Sequence, residues 1–342
     1  MKKIKFLAML FMAVMACAGF SACSDDDDDD NNGGGGSNVT GNESALVKDG
    51  KMLLTSITVG DYETTTLGYD DKLRPVYVNE EYYDDIEPKF SIDYNTGKIT
   101  IEDDYENLSV SFNSKGYVTK IQGSWKEEDD EYHQDYGTIS WTYSYDGSGH
   151  LVGVDKNDTE EGEKSVGKIV LTWENGNLMK VEDNEVFYDD KGNVEEKNSY
   201  IQTFTYGNQI NKYKQFPEVY GDDEEYMLFI AGLLGVGSEK LPLTCTSLEI
   251  DEYDGYTHKY ENSVTSEFTL NEDGTIDTET WLDSATGSRN KTSKFNYTPT
   301  DEYKTGQTRI WFSPDMAKSK TTAKGNRKRH SMKRRLSKMM GI

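Results

Sequence analysis

Residues Thr138-Ile139-Ser140-Trp141-Thr142-Tyr143-Ser144-Tyr145-Asp146-Gly147-Ser148-Gly149-His150-Leu151 decide the fold. Ile139, Trp141, Tyr143 and Tyr145 fall on one face of an extended chain, and Thr138, Ser140, Thr142 and Ser144 on the other. Such period-two alternation marks a strand with one buried face. The strand runs into Asp146, whose side chain can accept from backbone amides two or three residues on. Gly149 supplies the positive φ that completes the reversal, and Leu151 opens the next strand. The stretch is therefore a strand and a tight turn.

The same unit, aromatic-Asp/Asn-x-x-Gly-x-apolar, recurs as Phe112–Val118 and Tyr188–Val194, and with Leu for the aromatic as Leu270–Ile276. Shortened forms are Tyr94–Gly97 and Trp173–Leu178, where Asn175-Gly176 is a strong two-residue hairpin signal. Tyr69-Asp70-Asp71-Lys72-Leu73 lacks the glycine. Leu108/Val110/Phe112 and Ile169/Leu171/Trp173 repeat the alternation. Consecutive strands joined by short turns give an all-β antiparallel meander. The turn spacing is irregular, which argues against propeller blades or solenoid rungs. The expectation is one strongly curved or barrel-like sheet, because a long open sheet exposes its edges.

One segment breaks the pattern. Residues 222–234 read as a single buried helix, with Asp222 as its N-cap, Glu224 and Glu225 in the first turn, and Tyr226–Ala231 apolar almost throughout. A helix apolar on all sides needs a core, so it is expected to plug the concave face of the sheet.

Outward from this domain (45–317) the composition changes sharply. Residues 1–22 hold Lys2, Lys3 and Lys5, then an apolar run too short to span a bilayer, and lead to Cys23. Small residues before a cysteine resemble a bacterial lipobox, with Cys23 as the lipidated first residue of the mature chain. Cys17 is the rival site. Acyl chains contribute about 0.8 kcal/mol per buried methylene, enough for two or three to anchor the protein. Residues 23–44 carry six consecutive aspartates, Asp25–Asp30, and a glycine run, which makes an extended solvated tether. An acidic run behind the lipidated cysteine also resembles the surface-export signal of Bacteroidetes lipoproteins. The implied location is the outer membrane, lipid-anchored and facing outward, with the periplasmic leaflet as the alternative.

The 342 residues include 37 Lys/Arg and 62 Asp/Glu. Ten of the basic residues sit in 318–342, a basic tail with no acid and little apolar content, read as disordered. The acidic body repels anionic lipids and polyanions, which excludes nucleic acid as its partner. A glycan or a cationic partner remains open, and oligomeric state has no signal in the sequence.

Lipobox, acidic tether, repeated aromatic-Asp-x-x-Gly turns and one late Gly232-Leu233-Leu234-Gly235 segment together resemble a family of uncharacterised Bacteroidetes lipoproteins, a domain of unknown function with a porin-like fold. Single units are also similar to the tyrosine-aspartate repeats of secreted toxin shells. The resemblance spans roughly residues 46–298. It implies a meandering barrel-like sheet and brings no catalytic residues. A spanning barrel would need an outward apolar band about 25 Å tall. Charges such as Glu249/Asp251 and Glu267 on expected exposed faces argue for a domain in water instead.

Chemical motifs are sparse. His133, His150, His258 and His330 are scattered without metal-ligand spacing, so no metal and no cofactor is expected. Cys245 reads as a buried strand thiol. Asp155–Glu161 places oxygen donors at alternate positions but fails the EF-hand pattern, and reads as an acidic solvated loop. Asp283-Ser284-Ala285 resembles a short Bacteroidetes O-glycosylation acceptor, with Ser284 as the acceptor. Trp125, Tyr143 and Trp281 are the candidates for stacking on sugar rings, against a plain core role. The leading expectation is a non-enzymatic binding or structural module. The alternative is a glycan-acting hydrolase using Asp/Glu pairs.

Overall fold

The computed structural model describes residues 52–303, apart from 61–62, 83–84, 103–104, 129–133, 161–162, 215–222 and 254. The signal segment, Cys23, the tether, the basic tail, Asp222, His133 and His330 lie outside the described residues.

Among the described residues the domain has sixteen strands and one helix. In chain order they are β1 (Met52–Val59), β2 (Glu63–Tyr69), β3 (Pro75–Tyr82), β4 (Asp85–Asp93), β5 (Lys98–Ile101) and β6 (Tyr105–Phe112). There follow β7 (Val118–Glu128), β8 (Gln134–Tyr145), β9 (Leu151–Glu160), β10 (Glu163–Glu174), β11 (Asn177–Tyr188) and β12 (Val194–Ile210). Helix α1 (Asp223–Ile230) then precedes β13 (Lys240–Tyr253), β14 (Tyr256–Leu270), β15 (Ile276–Asp283) and β16 (Arg289–Pro299). Each strand pairs antiparallel with its sequence neighbours, and β1 pairs with β16, so the sheet closes into a barrel. The closing register sets Leu53 opposite Thr298 and Ile57 opposite Phe295.

An even number of antiparallel strands puts the start of β1 and the end of β16 at the same end. The turns at 70–74, 94–97, 113–117, 146–150, 175–176 and 271–275 share that end, and so does the 211–239 connection carrying α1. The chemistry of these turns is the one read from sequence. Asp70 Oδ1 accepts from the amides of Lys72 and Arg74, and Asn113 Oδ1 from those of Lys115 and Tyr117. At 175–176 both central residues have positive φ, 51° and 73°, the signature of a type I′ hairpin turn. Where the first unit lacks glycine, Leu73 itself takes the left-handed conformation at φ 59°.

The inner face is the apolar one. Leu67, Val78, Phe90, Ile99, Leu108, Ile121, Leu151, Ile169, Leu178 and Val181 are essentially inaccessible and form a single core with the helix segment. Met227, Leu228, Phe229, Ile230, Ala231, Leu233 and Leu234 are all buried in it. The helix ends in a Schellman arrangement: the Leu233 amide donates to the Leu228 carbonyl and the Gly232 amide to Phe229, with Gly232 at φ 74°. The chain that follows is stitched across successive turns. The Val118 amide donates to the Leu233 carbonyl, the Val236 amide to Gly149, and the Glu239 amide to Gly176. A Cβ on Gly235 would lie 2.4 Å from the Gly149 carbonyl oxygen, so only glycine fits there. The expected plug therefore exists, running Asp223–Ile230 as helix, and it fills one end of the barrel.

The outer face is polar. Thr138, Thr142 and Ser144 on β8, Asp155 and Asn157 on β9, and Lys164, Lys168 and Thr172 on β10 are exposed. Hydroxyl pairs run across neighbouring strands there, as between Thr138 and Thr159 and between Thr269 and Thr278. A lipid-facing barrel has the reverse distribution, apolar outside and polar within.

Two expectations need correction. Asp155–Glu160 is not a loop but part of β9, paired with β8 and β10 on its two sides. Pairing on both edges keeps it extended, so Asp155, Asn157 and Thr159 share one face but follow each other at about 7 Å per step and cannot converge on one ion. Glu249 and Asp251 do not face outward. They lie opposite Tyr200 and Asn198 in the inner-face register that contains Phe204, whereas Glu267 is exposed.

Candidate functional site

Most aromatic side chains near the turns serve a common structural purpose at the plug end. The Tyr69 hydroxyl donates to the Leu54 carbonyl (2.7 Å), Tyr94 to Pro75 (2.9 Å), Tyr145 to Val118 (2.6 Å) and Tyr206 to Leu178 (2.6 Å). The Trp173 indole does the same to Leu151 at 2.8 Å. In each case a residue at the end of an even-numbered strand latches to the start of the strand before it. Burial pushes the Tyr69, Tyr94 and Tyr145 hydroxyls well above the ordinary phenol range, so they stay protonated as donors.

Further along the barrel the inner wall turns polar. Lys89, on a bulge of β4, is nearly buried and reaches Glu80 (3.1 Å), Glu102 (3.5 Å) and Glu87 (3.6 Å). Lys291 pairs with Glu63 at 3.2 Å, and Ser266 donates to the buried Glu279 at 3.0 Å. On β8 and β9 the Trp141 indole N–H lies between both Asp158 oxygens (3.0 and 2.9 Å), and Lys156 Nζ sits 5.2 Å from the Trp141 ring centroid. Burial raises the Asp158 carboxyl above the ordinary range despite the indole and Lys156, which both favour its charged form. Its two oxygens are committed to the indole. Among the described residues no group of three His, Cys, Asp or Glu is arranged to hold a metal.

The opposite end, where strands β7–β14 are longest, forms a rim. Every tyrosine that counts as strongly exposed among the described residues sits there: Tyr82 (52%), Tyr136 (59%), Tyr253 (40%), Tyr256 (67%) and Tyr260 (43%). Tyr253 stacks parallel on His258, ring centroids 5.5 Å apart. Between the β11–β12 and β13–β14 turns lies an open groove of about 620 Å³, lined by Asp189, Glu195, Lys197, Glu252, Tyr253 and Tyr256 with Val194, Gly255 and Thr257. Behind it, Asn198 lies opposite Asp251, and turning its side-chain amide end for end lets the nitrogen donate to Glu196 (2.9 Å) and to Asp251 (3.0 Å).

The residues singled out from sequence are dispersed. Trp125 lies opposite Gly137 and packs edge-on against Tyr105 at 5.6 Å, where a Cβ on Gly137 would collide with the indole. Tyr143 is 4% exposed within the core. It lies six positions along β8 from Gly137, about 20 Å along the strand. Trp281 lies on β15 opposite Ser266 and Lys291, near the rim. Ser284 is exposed in the β15–β16 turn, its hydroxyl bonded to those of Ser263 and Thr265. Asp283 beside it accepts from the Ala285 and Thr286 amides, so the Asp-Ser-Ala triplet is also a turn motif. Cys245 lies on the inner face opposite Phe204 and accepts from the Gln202 amide at 3.7 Å. His150 stacks on Trp173 at 4.2 Å and bonds Asp146 at 2.9 Å, a packed turn residue.

The rim tyrosines were not among the sequence candidates. One signal was legible: Tyr256, His258 and Tyr260 alternate without an apolar partner set on the other face, as a strand exposed on both sides would.

No protein-family model matches the chain, and no curated protein matches it. Among solved structures it is similar to a porin-like protein from Bacteroides vulgatus at 16% identity, covering 72% of this chain and 98% of that one, TM-score 0.45. A porin-like protein from Bacteroides uniformis is also similar at 16% identity, covering 76% and 98%, TM-score 0.43.

Proposed function

We propose that this chain is a non-enzymatic, glycan-binding member of the lipid-anchored Bacteroidetes lipoproteins it resembles in sequence, displayed on the outer surface of the outer membrane through Cys23. One observation carries the binding reading: the strongly exposed tyrosines lie at the rim, and two of them, Tyr253 and Tyr256, line a groove there, while Tyr69, Tyr94, Tyr145 and Tyr206 at the plug end serve as latches. Flat rings with a polar tip suit stacking against sugar faces at a wet surface. The groove is within the usual size range of small-ligand sites.

Two further features support display rather than membrane insertion. The polar outer wall suits water, and β1 begins and β16 ends at the plug end, opposite the rim. A rigid barrel stitched shut by its own plug is a stable platform for such a surface.

The test is titration calorimetry of the protein against a panel of polysaccharides, with product analysis in parallel. Heat without product release, lost in Tyr256→Ala, is the expected result. Turnover abolished by a single carboxylate substitution would overturn the non-enzymatic reading, and silence across the panel would overturn the glycan reading.

A further inference from the structure

The rim groove has a charge as well as a shape. Asp189, Glu195 and Glu252 face Lys197 alone, which leaves the lining with two excess negative charges. The Asp189 carboxylate is held in its charged form, first by the Asn193 side chain and then by the Asn193 amide. Among the described residues neither Glu195 nor Glu252 has an ion-pair partner. Both are exposed, and Lys197, although opposite Glu252 in the β12–β13 register, makes no bridge to it. Tyr256, the most exposed aromatic of the rim, stands at the same groove.

We infer that the groove selects a glycan whose sugars carry free, protonated amino groups. This rests on the glycan reading above and narrows it. A neutral sugar would stack on Tyr256 and leave Glu195 and Glu252 with nothing but water. An ammonium substituent on the ring answers both features, since it pairs with a carboxylate while its ring lies against the tyrosine. A tyrosine face also attracts a cation directly. An anionic glycan would meet repulsion in the groove, and the acidic rim around it would slow its approach. Lys197 sits at the groove as a competing cation on the protein's own side, and Asp189 is bonded within its own turn, so the ligand amine is placed toward Glu195 and Glu252.

Three oligosaccharides of one backbone separate the possibilities: β-1,4-linked glucose, N-acetylglucosamine and glucosamine oligomers of equal length, titrated into the full chain at low and at high salt. Their rings stack alike, and only the third carries an ammonium. The inference expects the glucosamine oligomer to bind most tightly, with an advantage that shrinks as salt rises. Glu195→Gln and Glu252→Gln should each weaken it about two- to fivefold, the range of an exposed ion pair. They should leave the neutral oligomers unchanged, whereas Tyr256→Ala should weaken all three. Equal binding of the three with no effect of the Gln variants would overturn the amine inference and leave the glycan reading standing. Failure of the glucosamine oligomer to bind would likewise overturn the amine inference, whereas the glycan reading falls only on silence across the whole polysaccharide panel.

Discussion

The Tyr145 hydroxyl donates to the Val118 carbonyl at 2.6 Å, joining the end of β8 to the start of β7. A second bond ties Val118 to the plug: the Val118 amide donates to the Leu233 carbonyl. One residue thus receives a latch from the wall on its carbonyl and holds the plug with its amide. The other turn aromatics latch neighbouring strands in the same way at this end of the barrel.

Removing only that hydroxyl tests the latch. Tyr145→Phe keeps the ring, which packs against Tyr117 at 5.4 Å, and deletes the donor. The expected loss is about 1 kcal/mol of unfolding free energy, the usual net worth of such a bond. Chemical denaturation read by far-UV circular dichroism measures it. An unchanged midpoint would mean that water satisfies the Val118 carbonyl as well as tyrosine does.

The plug should be indispensable to the fold. Phe229→Asp buries a carboxylate in a site that is 3% exposed and should abolish the cooperative thermal transition. Gly235→Ala is the subtler variant. Its Cβ would meet the Gly149 carbonyl oxygen at 2.4 Å, and its φ of +102° is strained for alanine. A lower melting temperature is expected for Gly235→Ala, without loss of strand content.

Asp158 gives the barrel a distinctive pH response. Burial raises its folded pKa above the unfolded value, so the native state binds the proton more tightly than the unfolded chain does. Its contribution is therefore greatest at low pH and declines as pH rises through the window between the two values. Asp158→Asn keeps an oxygen for the Trp141 indole and cannot titrate. Stability curves of the two proteins from pH 3 to pH 7 (about 3 to 7, bracketing the carboxylate range) should diverge in favour of the variant as pH rises. A constant gap would refute the assignment. Asp93 works in the opposite sense, since the Thr96 hydroxyl and the Asn95 amide hold its carboxylate below the ordinary range. Its contribution is present above the unfolded value and is lost as pH falls through the folded one.

Anchoring through Cys23 predicts that metabolic palmitate labelling disappears in Cys23→Ser and persists in Cys17→Ser. Protease shaving of intact cells then separates the two leaflets, because only an outward-facing protein is cut away.

Some of this architecture was readable in advance. Asp146 and Gly149 announce their turn because an Asx side chain and a positive φ act over four residues. Tyr226–Leu234 announces a buried helix because no alternating strand pattern fits it. The candidate site was less legible. Trp125, Tyr143 and Trp281 stand out by residue type, yet Tyr143 is core, while Tyr256 is one of 23 tyrosines and only the doubly polar alternation of Tyr256, His258 and Tyr260 marks its strand. Asp155–Glu160 misled because its carboxylates suggest solvent, and only pairing with β8 and β10 makes it a wall strand.

The sequence by itself determined where the chain reverses, which segments alternate, and which stretch must be buried as a helix. Those properties depend on φ preferences and side-chain periodicity within a few residues. Tertiary structure alone decided that β1 meets β16, that Tyr145 is a latch and Tyr256 a free surface, and that Glu249 points inward. Each of these depends on register between residues far apart in the chain, and a hydroxyl or carboxylate takes its role from whatever the closed sheet sets opposite it.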